Sequence, residues 1–423
     1  MSLLKFVLPQ SVFDFSYLFG SNIFKKILGF LREVILAFIF GSSLIYASYL
    51  LLKTLADFLS QFTFGNALQA NLLPKFSKYY KDNDVLNLNS VYVFSKKIIL
   101  IIFSFSLILQ LLIVFLFIKK FYLLLISTSF VLALVLSVNF YNSLFLSVIQ
   151  AKGDFKKFSI ATTFNVIIAT FFVYPLSFLL DVLGIAISRL LGALSLSYFY
   201  IKPIVKPNNG AKVNLSINDF NFSVVFLANV SLFILLISRF ISGLNGDSDI
   251  TYFNYAFVLL NVVLTAIVFN INTIILRKIS IKKEMRYLIY SILVSCFISC
   301  ILYFLVNKFS IQIIDLIFRR GAFNENDVLS TAYFLRSLTP AYIILIFTTV
   351  IFQPFFSLGI DKISKVSLKY LFFLVSIILL LLGYIVFAKV AARDACFLFI
   401  NFMSITSLVI SLFSLRYFML YED

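Results

Sequence analysis

Four ionisable residues, Lys25, Lys26, Arg32 and Glu33, lie inside a run of apolar residues long enough to cross a bilayer. Charge at membrane depth is costly and persists mainly where it faces a polar cavity, so these side chains are the first candidates for function. On a helix, Lys25 and Arg32 share one stripe, and Lys26 and Glu33 share the neighbouring stripe about 100° round. Gly29 lies between them and leaves room for close approach. The chemistry open to such a set is anion binding. The guanidinium of Arg32 is a planar fork that stays charged and matches phosphate oxygens, the lysines add point charges, and Glu33 would orient or gate them. The competing reading has Lys25 and Lys26 snorkelling to headgroups while Arg32 and Glu33 form a structural pair.

Further charges fall in later apolar runs. Lys53 and Asp57 stand at i, i+4 in the second run, either as a pair in the cavity or as a purely structural ion pair. Arg189, Arg239 and Arg336 sit in or at the ends of apolar spans on the expected outer side, where anchoring at the interface is the default reading. Cys296, Cys300 and Cys396 lie within apolar runs and the chain has no histidine, so neither metal nor disulfide chemistry is implied. Few acidic residues and no catalytic cluster speak against an enzyme, and no Walker-type loop speaks for ATP drive. No cofactor is expected; energy would come from membrane potential, an ion gradient or consumption of the product.

The elements that must position these groups are membrane helices. Of 423 residues, 62% are hydrophobic and 13% charged, and runs such as 98–118, 220–236 and 371–387 carry no charge. A soluble fold cannot hide that much apolar surface, and stretches of roughly 20 residues favour helices over barrel strands. An all-α polytopic protein is expected, with spans near 10–40, 46–73, 91–118, 121–149, 158–180, 183–201, 218–243, 249–276, 286–307, 328–357, 366–388 and 395–415. The net charge of +17 sits in short loops, as topology signals and lipid-headgroup contacts, rather than on a nucleic-acid-binding face. The basic loops alternate with poorer ones so that both termini are predicted cytoplasmic. The N-terminus lacks a signal-peptide layout and is expected to be retained.

The chain also echoes itself. LLPKFSKYYKD (72–82) is answered by ILRKISIKKEM (275–285), and QAKGDFKKFS (150–159) by SLGIDKISKVS (357–367). Two six-helix lobes follow, 1–205 and 206–423, joined by the polar stretch 202–214. Parallel repeats of this kind rock against each other around a central site.

Four segments carry a resemblance to a known family. ILGFLREVILAFIFGSS (27–43) resembles the opening helix of the MurJ/MviN family of lipid II flippases, within the multidrug/oligosaccharidyl-lipid/polysaccharide (MOP) exporter superfamily. FGNALQANLLPKFSKYY (64–80), IQAKGDFKKFSIATTFN (149–165) and LIFRRGAFNENDVLSTA (316–332) are similar to later family segments in the same order. The resemblance implies an alternating-access transporter in the bacterial inner membrane, carrying an undecaprenyl-diphosphate-linked precursor for peptidoglycan biosynthesis. Its partners would be that lipid-linked glycan and membrane lipids, with no nucleic acid and no obligate protein partner.

Residue by residue, Lys26 matches a position where the family usually has arginine, Arg32 matches its next arginine, and Glu33 stands where an acid is common. The match is incomplete elsewhere. The family's acidic residue early in helix two aligns with Tyr46–Tyr49, its later arginine with Leu59–Ser60, and its charged pair in helix eight with Val258 and Asn261. The family also commonly has fourteen helices, the last two forming a tail-binding groove, against about twelve here. Another lipid-linked oligosaccharide, of O-antigen or exopolysaccharide type, is therefore an alternative cargo. A cation-coupled multidrug antiporter would call for acidic cavity residues, whereas those here are mostly basic. The Arg320–Phe323 turn is expected to be architectural, with Gly321 turning the chain and Glu325 and Asp327 at the next helix N-terminus.

Overall fold

The computed structural model describes the chain outside residues 1–9, 64–71, 73–74, 78, 81–85, 119, 206–210, 213–214, 216–221, 246–247, 264–285, 357–359 and 422–423. The repeat segment 275–285 and the middle of the polar linker lie outside the described residues. The architecture is helical: α1 (Gln10–Phe40), α2 (Leu44–Thr63), α3 (Asn89–Phe117), α4 (Tyr122–Ala151), α5 (Phe155–Leu196), α6 (Phe222–Ala228), α7 (Val230–Ser242), α8 (Asp249–Val263), α9 (Arg286–Phe318), α10 (Glu325–Ile351), α11 (Gln353–Phe356), α12 (Ile360–Phe387) and α13 (Ala392–Tyr421). Strands β1 (Leu86–Asn87) and β2 (Ala211–Lys212) pair in parallel over two residues each. Among the described residues seven helices are long and apolar enough to cross a membrane, and the chain is a multi-pass membrane protein.

The surface shows why only lipid suits it. On α9, Leu293, Phe297 and Leu316 are 60, 68 and 74% exposed, while Ser291, Ser295, Ser299 and Ser310 are buried. A water-soluble helix does the reverse. In a bilayer, small hydroxylic residues turn inward because they let backbones approach and their oxygens find backbone acceptors. The stripe Ser404, Ser407, Ser411, Ser414 on α13 repeats the pattern, and Ser407 Oγ lies 3.4 Å from Thr348 Oγ1 on α10.

α5 resolves into the two spans expected at 158–180 and 183–201. A straight helix of that length would be about 60 Å, twice the hydrocarbon core. The helix breaks at Leu180 and Asp181, the latter at φ 51°, ψ −139°, so the two arms fold back on each other. Two glycines permit that approach. A Cβ on Gly184 would lie 2.0 Å from the Leu176 carbonyl oxygen, and one on Gly192 would lie 2.6 Å from that of Asn165. A π-helical turn, Ser197–Ile201, closes the second arm, where Asn142 of α4 donates to the Ala193 carbonyl and accepts from Ser197 Oγ.

The described chain forms two compact units, Met1–Ile35 with Leu59–Phe220, and Leu36–Phe58 with Asn221–Asp423. The first is built around Phe76, Val91, Leu144, Phe145 and Leu196, all at or below 1% exposure. In the second, α10 is the central element, with Leu335, Leu338, Ala341, Tyr342, Leu345 and Ile346 buried. The last turn of α1 and most of α2 group with this second unit, although they precede the expected lobe boundary by more than half its sequence.

Candidate anion-binding helix and buried charge network

The charged stretch of α1 belongs to the first unit. Lys25 is half-buried, and its ammonium donates to Thr162 Oγ1 of α5 at 3.1 Å. That hydroxyl passes its own proton to the carbonyl of Phe158 or Ser159, so it meets the lysine with a lone pair. Lys26 is exposed and has no hydrogen-bond or ion-pair partner among the described residues. Arg32 and Glu33 are 18 and 5% exposed at their side chains, with Nη2 and Oε1 3.9 Å apart. Adjacent residues on a helix do not face one another, which keeps that contact long.

The four charges therefore do not share one environment. Lys25, Arg32 and Glu33 turn toward protein while Lys26 turns away, even though Lys26 and Glu33 lie on the same stripe. What packs on α1 changes within two turns, which helical spacing does not reveal. Gly29 likewise differs from expectation: a Cβ there would meet nothing within 4 Å, so no neighbouring element makes a close approach at that point.

In the second unit, Lys53 and Asp57 form an ion pair at 3.7 Å. The larger finding is Arg239. Expected to anchor at the interface, it is instead 1% exposed at the end of α7 and joins the same carboxylate. Its Nη2 donates to Asp57 Oδ2 at 2.9 Å, Nε to Thr54 Oγ1 at 2.7 Å and Nη1 to Asn254 Oδ1 at 3.0 Å, with the Phe257 ring centroid 5.9 Å away. The guanidinium fork makes this burial tolerable, since each nitrogen finds its own acceptor, two on α2 and one on α8. Arg239 and Lys53 thus share the Asp57 carboxylate. The signal available in the sequence was the set of polar residues, Thr54, Asp57, Arg239 and Asn254, each inside an apolar run. Nothing in their spacing joins them.

Arg336, the third expected anchor, donates from Nε to Ser310 of α9. The turn before α10 is architectural, as expected. Gly321 adopts φ +61° and Ala322 donates to the Phe38 carbonyl of α1, while Gly41, at φ +52°, faces the Ala322 carbonyl in return. Asn324 caps α10 in a reciprocal box with Asp327. The buried Asp327 carboxylate also accepts from Ser42 Oγ at 2.6 Å and Tyr252 Oη at 3.2 Å, and Ser248 Oγ and Tyr255 Oη donate to the carbonyls of Ser42 and Gly41. The α1–α2 turn is thus tied to α8 and α10 by side chains reaching its backbone.

Tyr46 and Tyr49, early in α2, are both wholly buried. Tyr46 stacks between Phe40 at 5.5 Å and Tyr255 at 6.1 Å.

No protein-family model matches this sequence, and no curated protein matches it. Solved structures do. The chain is similar to the lipid II flippase MurJ in an inward closed conformation, at TM-score 0.73 and 20% identity over 94% of this chain and 87% of that one. It is also similar to a MOP superfamily transporter from Pyrococcus furiosus, described as having a binding pocket of reversed polarity, at 0.61 and 16% over 97 and 96%. An outward-facing multidrug-resistance MATE transporter of the same superfamily matches at 0.58 and 14% over 96 and 94%. At these identities the likeness establishes the fold, which is that of the MOP exporters.

Proposed function

We propose that this protein is a flippase that moves an undecaprenyl-diphosphate-linked cell-envelope precursor, of the lipid II type, outward across the bacterial cytoplasmic membrane by alternating access. The observation that carries the reading is the sign of the charge set into the middle of α1, residues 25–33: Lys25, Lys26 and Arg32 against the carboxylate of Glu33. A diphosphate crossing a low-dielectric layer needs fixed cations, and cationic drugs would need the opposite. In this reading Arg32 contacts the diphosphate, Lys25 and Lys26 add charge along its path, and Glu33 orients Arg32. Transport of this kind makes and breaks no covalent bond. The Lys53–Asp57–Arg239 network would hold α2, α7 and α8 together as the lobe moves.

The two lobes divide in this proposal near residue 205, and both termini face the cytoplasm, as the basic loops at 75–81, 152–157 and 362–369 favour. The structural likeness to MurJ supports the fold that such a mechanism requires.

A different lipid-linked glycan is favoured by one observation. Tyr46 and Tyr49 stand stacked and buried where the resembled family carries an acid, so that charge is missing from this position. The deciding experiment is complementation of a strain depleted of its lipid II flippase, comparing wild type with Arg32→Ala at matched membrane expression. Rescue by wild type alone supports lipid II transport through Arg32. No rescue despite good expression assigns the cargo to another glycan, and rescue by both removes Arg32 from the path.

A further inference from the structure

In the second unit, the exposed face of α10 carries a charge. Asn326, Leu329, Tyr333, Arg336 and Pro340 recur at i, i+3, i+7, i+10 and i+14, one stripe of the helix, and all five are exposed. α9 flanks this stripe on one side, where Arg336 reaches Ser310. α13 flanks it on the other, where the Arg393 guanidinium lies 5.7 Å from the Phe334 ring centroid and the Phe397 ring 5.9 Å from that of Tyr333. Further along the same stripe the floor between the two helices turns apolar, with Pro340 followed by the half-buried Ile344 and Phe347.

Asp57 takes Arg239, Asp315 and Glu325 take Arg319, and Asp249 takes Arg393, but among the described residues no carboxylate lies within ion-pair distance of Arg336. Its Nε is held by the buried Ser310 hydroxyl, and its two Nη atoms have no partner among the described residues. Arg393 gives Nε and Nη2 to Asp249 and keeps Nη1. With Leu329, Ser330, Tyr333 and Phe334 it lines a pocket of about 250 Å³, and the Tyr333 hydroxyl makes no hydrogen bond among the described residues. The level of these donors fits a headgroup. Counted from Arg286 at the start of α9, the roughly 30 Å hydrocarbon core takes about 20 residues of helix and ends near Asn307; counted back from Phe356 along α11 and α10, the same length ends at Arg336. Asn307, Lys308 and Gln312 are exposed at and beyond that level. The turn after α9 lies outside in the proposed topology, so the leaflet is the outer one.

We infer that the face of α10 between α9 and α13 binds an anionic phospholipid of the outer leaflet, its phosphodiester held by Arg336, Tyr333 and Arg393 and an acyl chain running inward over Pro340, Ile344 and Phe347. The site does not depend on what the protein transports. An arginine that only snorkels leaves its head loose in water, whereas here Ser310 and Asp249 each fix one edge of a guanidinium and leave donors for phosphate oxygens. Charge complementarity selects the occupant. A phosphodiester brings one negative charge, which the unpaired guanidinium of Arg336 meets. A diphosphate brings more, and Asp394, exposed next to Arg393, opposes the excess.

The test uses the full chain in phosphatidylcholine nanodiscs doped with phosphatidylglycerol that carries a diazirine in one acyl chain. Photolabelling of peptides covering residues 326–347 should saturate, and unlabelled phosphatidylglycerol should compete it away where phosphatidylcholine does not. Arg336→Gln, which keeps an amide for Ser310, should cut this labelling by about tenfold, the scale of one lost hydrogen bond to a charged group. Arg319→Gln, whose guanidinium is already held by Asp315 and Glu325, should leave it unchanged. Arg336→Lys should retain part of it, since the charge stays and the fork is lost. Raising the salt concentration should weaken labelling of the wild type, a readout that needs no variant to fold. Equal labelling by a diazirine-bearing phosphatidylcholine overturns the site, and so does labelling that neither salt nor Arg336→Gln changes. Labelling that yields to a short polyprenyl diphosphate but not to phosphatidylglycerol overturns the phospholipid assignment and makes this face part of a route for the diphosphate.

Discussion

Replacing Asp57 with asparagine keeps the shape of the buried network and deletes the carboxylate that Arg239 and Lys53 share. In the structure that carboxylate lies 2.9 Å from Arg239 Nη2 and 3.7 Å from Lys53 Nζ. At an effective dielectric constant near 20, these separations correspond to gross attractions of about 6 and about 4 kcal/mol, most of which offsets the cost of taking the groups out of water. Without the carboxylate that cost stands alone, and two cations face each other across an amide. Removing one partner of a buried pair costs about 3–5 kcal/mol, and the 28% exposure of the Asp57 side chain puts this case near the lower end. At about 2–4 °C per kcal/mol for a unit of this size, the apparent melting temperature should fall by roughly 6–12 °C. Arg239→Met should cost less, about 1.5–3 kcal/mol, because Asp57 keeps Lys53 and only hydrogen bonds to a charged group are lost. The double variant should recover part of the Asp57→Asn loss, since it removes Arg239 together with its counter-charge. The chain contains no tryptophan, so unfolding is best followed as loss of the monodisperse size-exclusion peak after heating. An Asp57→Asn variant within about 2 °C of wild type, or a double variant less stable than Asp57→Asn alone, would refute the electrostatic account of this network.

Three further outcomes follow from the same geometry. Gly41→Ala and Gly321→Ala each place a Cβ 2.4 Å from a carbonyl oxygen at a positive φ, and each should lower thermal retention by at least the roughly 1–3 kcal/mol of a strained backbone. Asp327→Ala removes the α10 capping box together with the Ser42 contact, for a loss of about 2–4 kcal/mol, and hydrogen exchange at 41–44 and 324–328 should rise; unchanged protection there would disconnect the turn from α10. Gly184→Ala forces the arms of α5 apart at Leu176, costing about 1–3 kcal/mol, and cysteine pairs introduced across the arms should crosslink more slowly than in the parent.

Much of the fold was legible because its cause is local. Runs near the bilayer thickness declare membrane helices, and the break between 158–180 and 183–201 was readable as two spans even though the helix is continuous on either side of Asp181. The turn at Arg320–Phe323 was readable too, because glycine at a left-handed position and an acid three residues into a helix carry their meaning in a few residues. Lys25 and Arg32 stand out as candidates by cost alone: charge in an apolar run needs a reason.

Partnership was not legible. Arg239 read as an interfacial anchor because snorkelling is the common fate of an arginine near a span end, yet it is buried on Asp57, 182 residues earlier, and Thr54, 185 residues earlier. Lys26 and Glu33 share a stripe by spacing, but one is exposed and the other buried, because neighbouring helices cover α1 unevenly. The sequence by itself determined that this chain lives in a membrane as helices, where the chain turns, and that its first apolar run carries a mostly basic cluster at residues 25–33, since hydropathy, glycine conformation and charge are properties of short segments. Only the tertiary structure decided which charged side chains are buried together, as Arg239 is on Asp57, because burial and ion pairing depend on which distant helices the packing brings together.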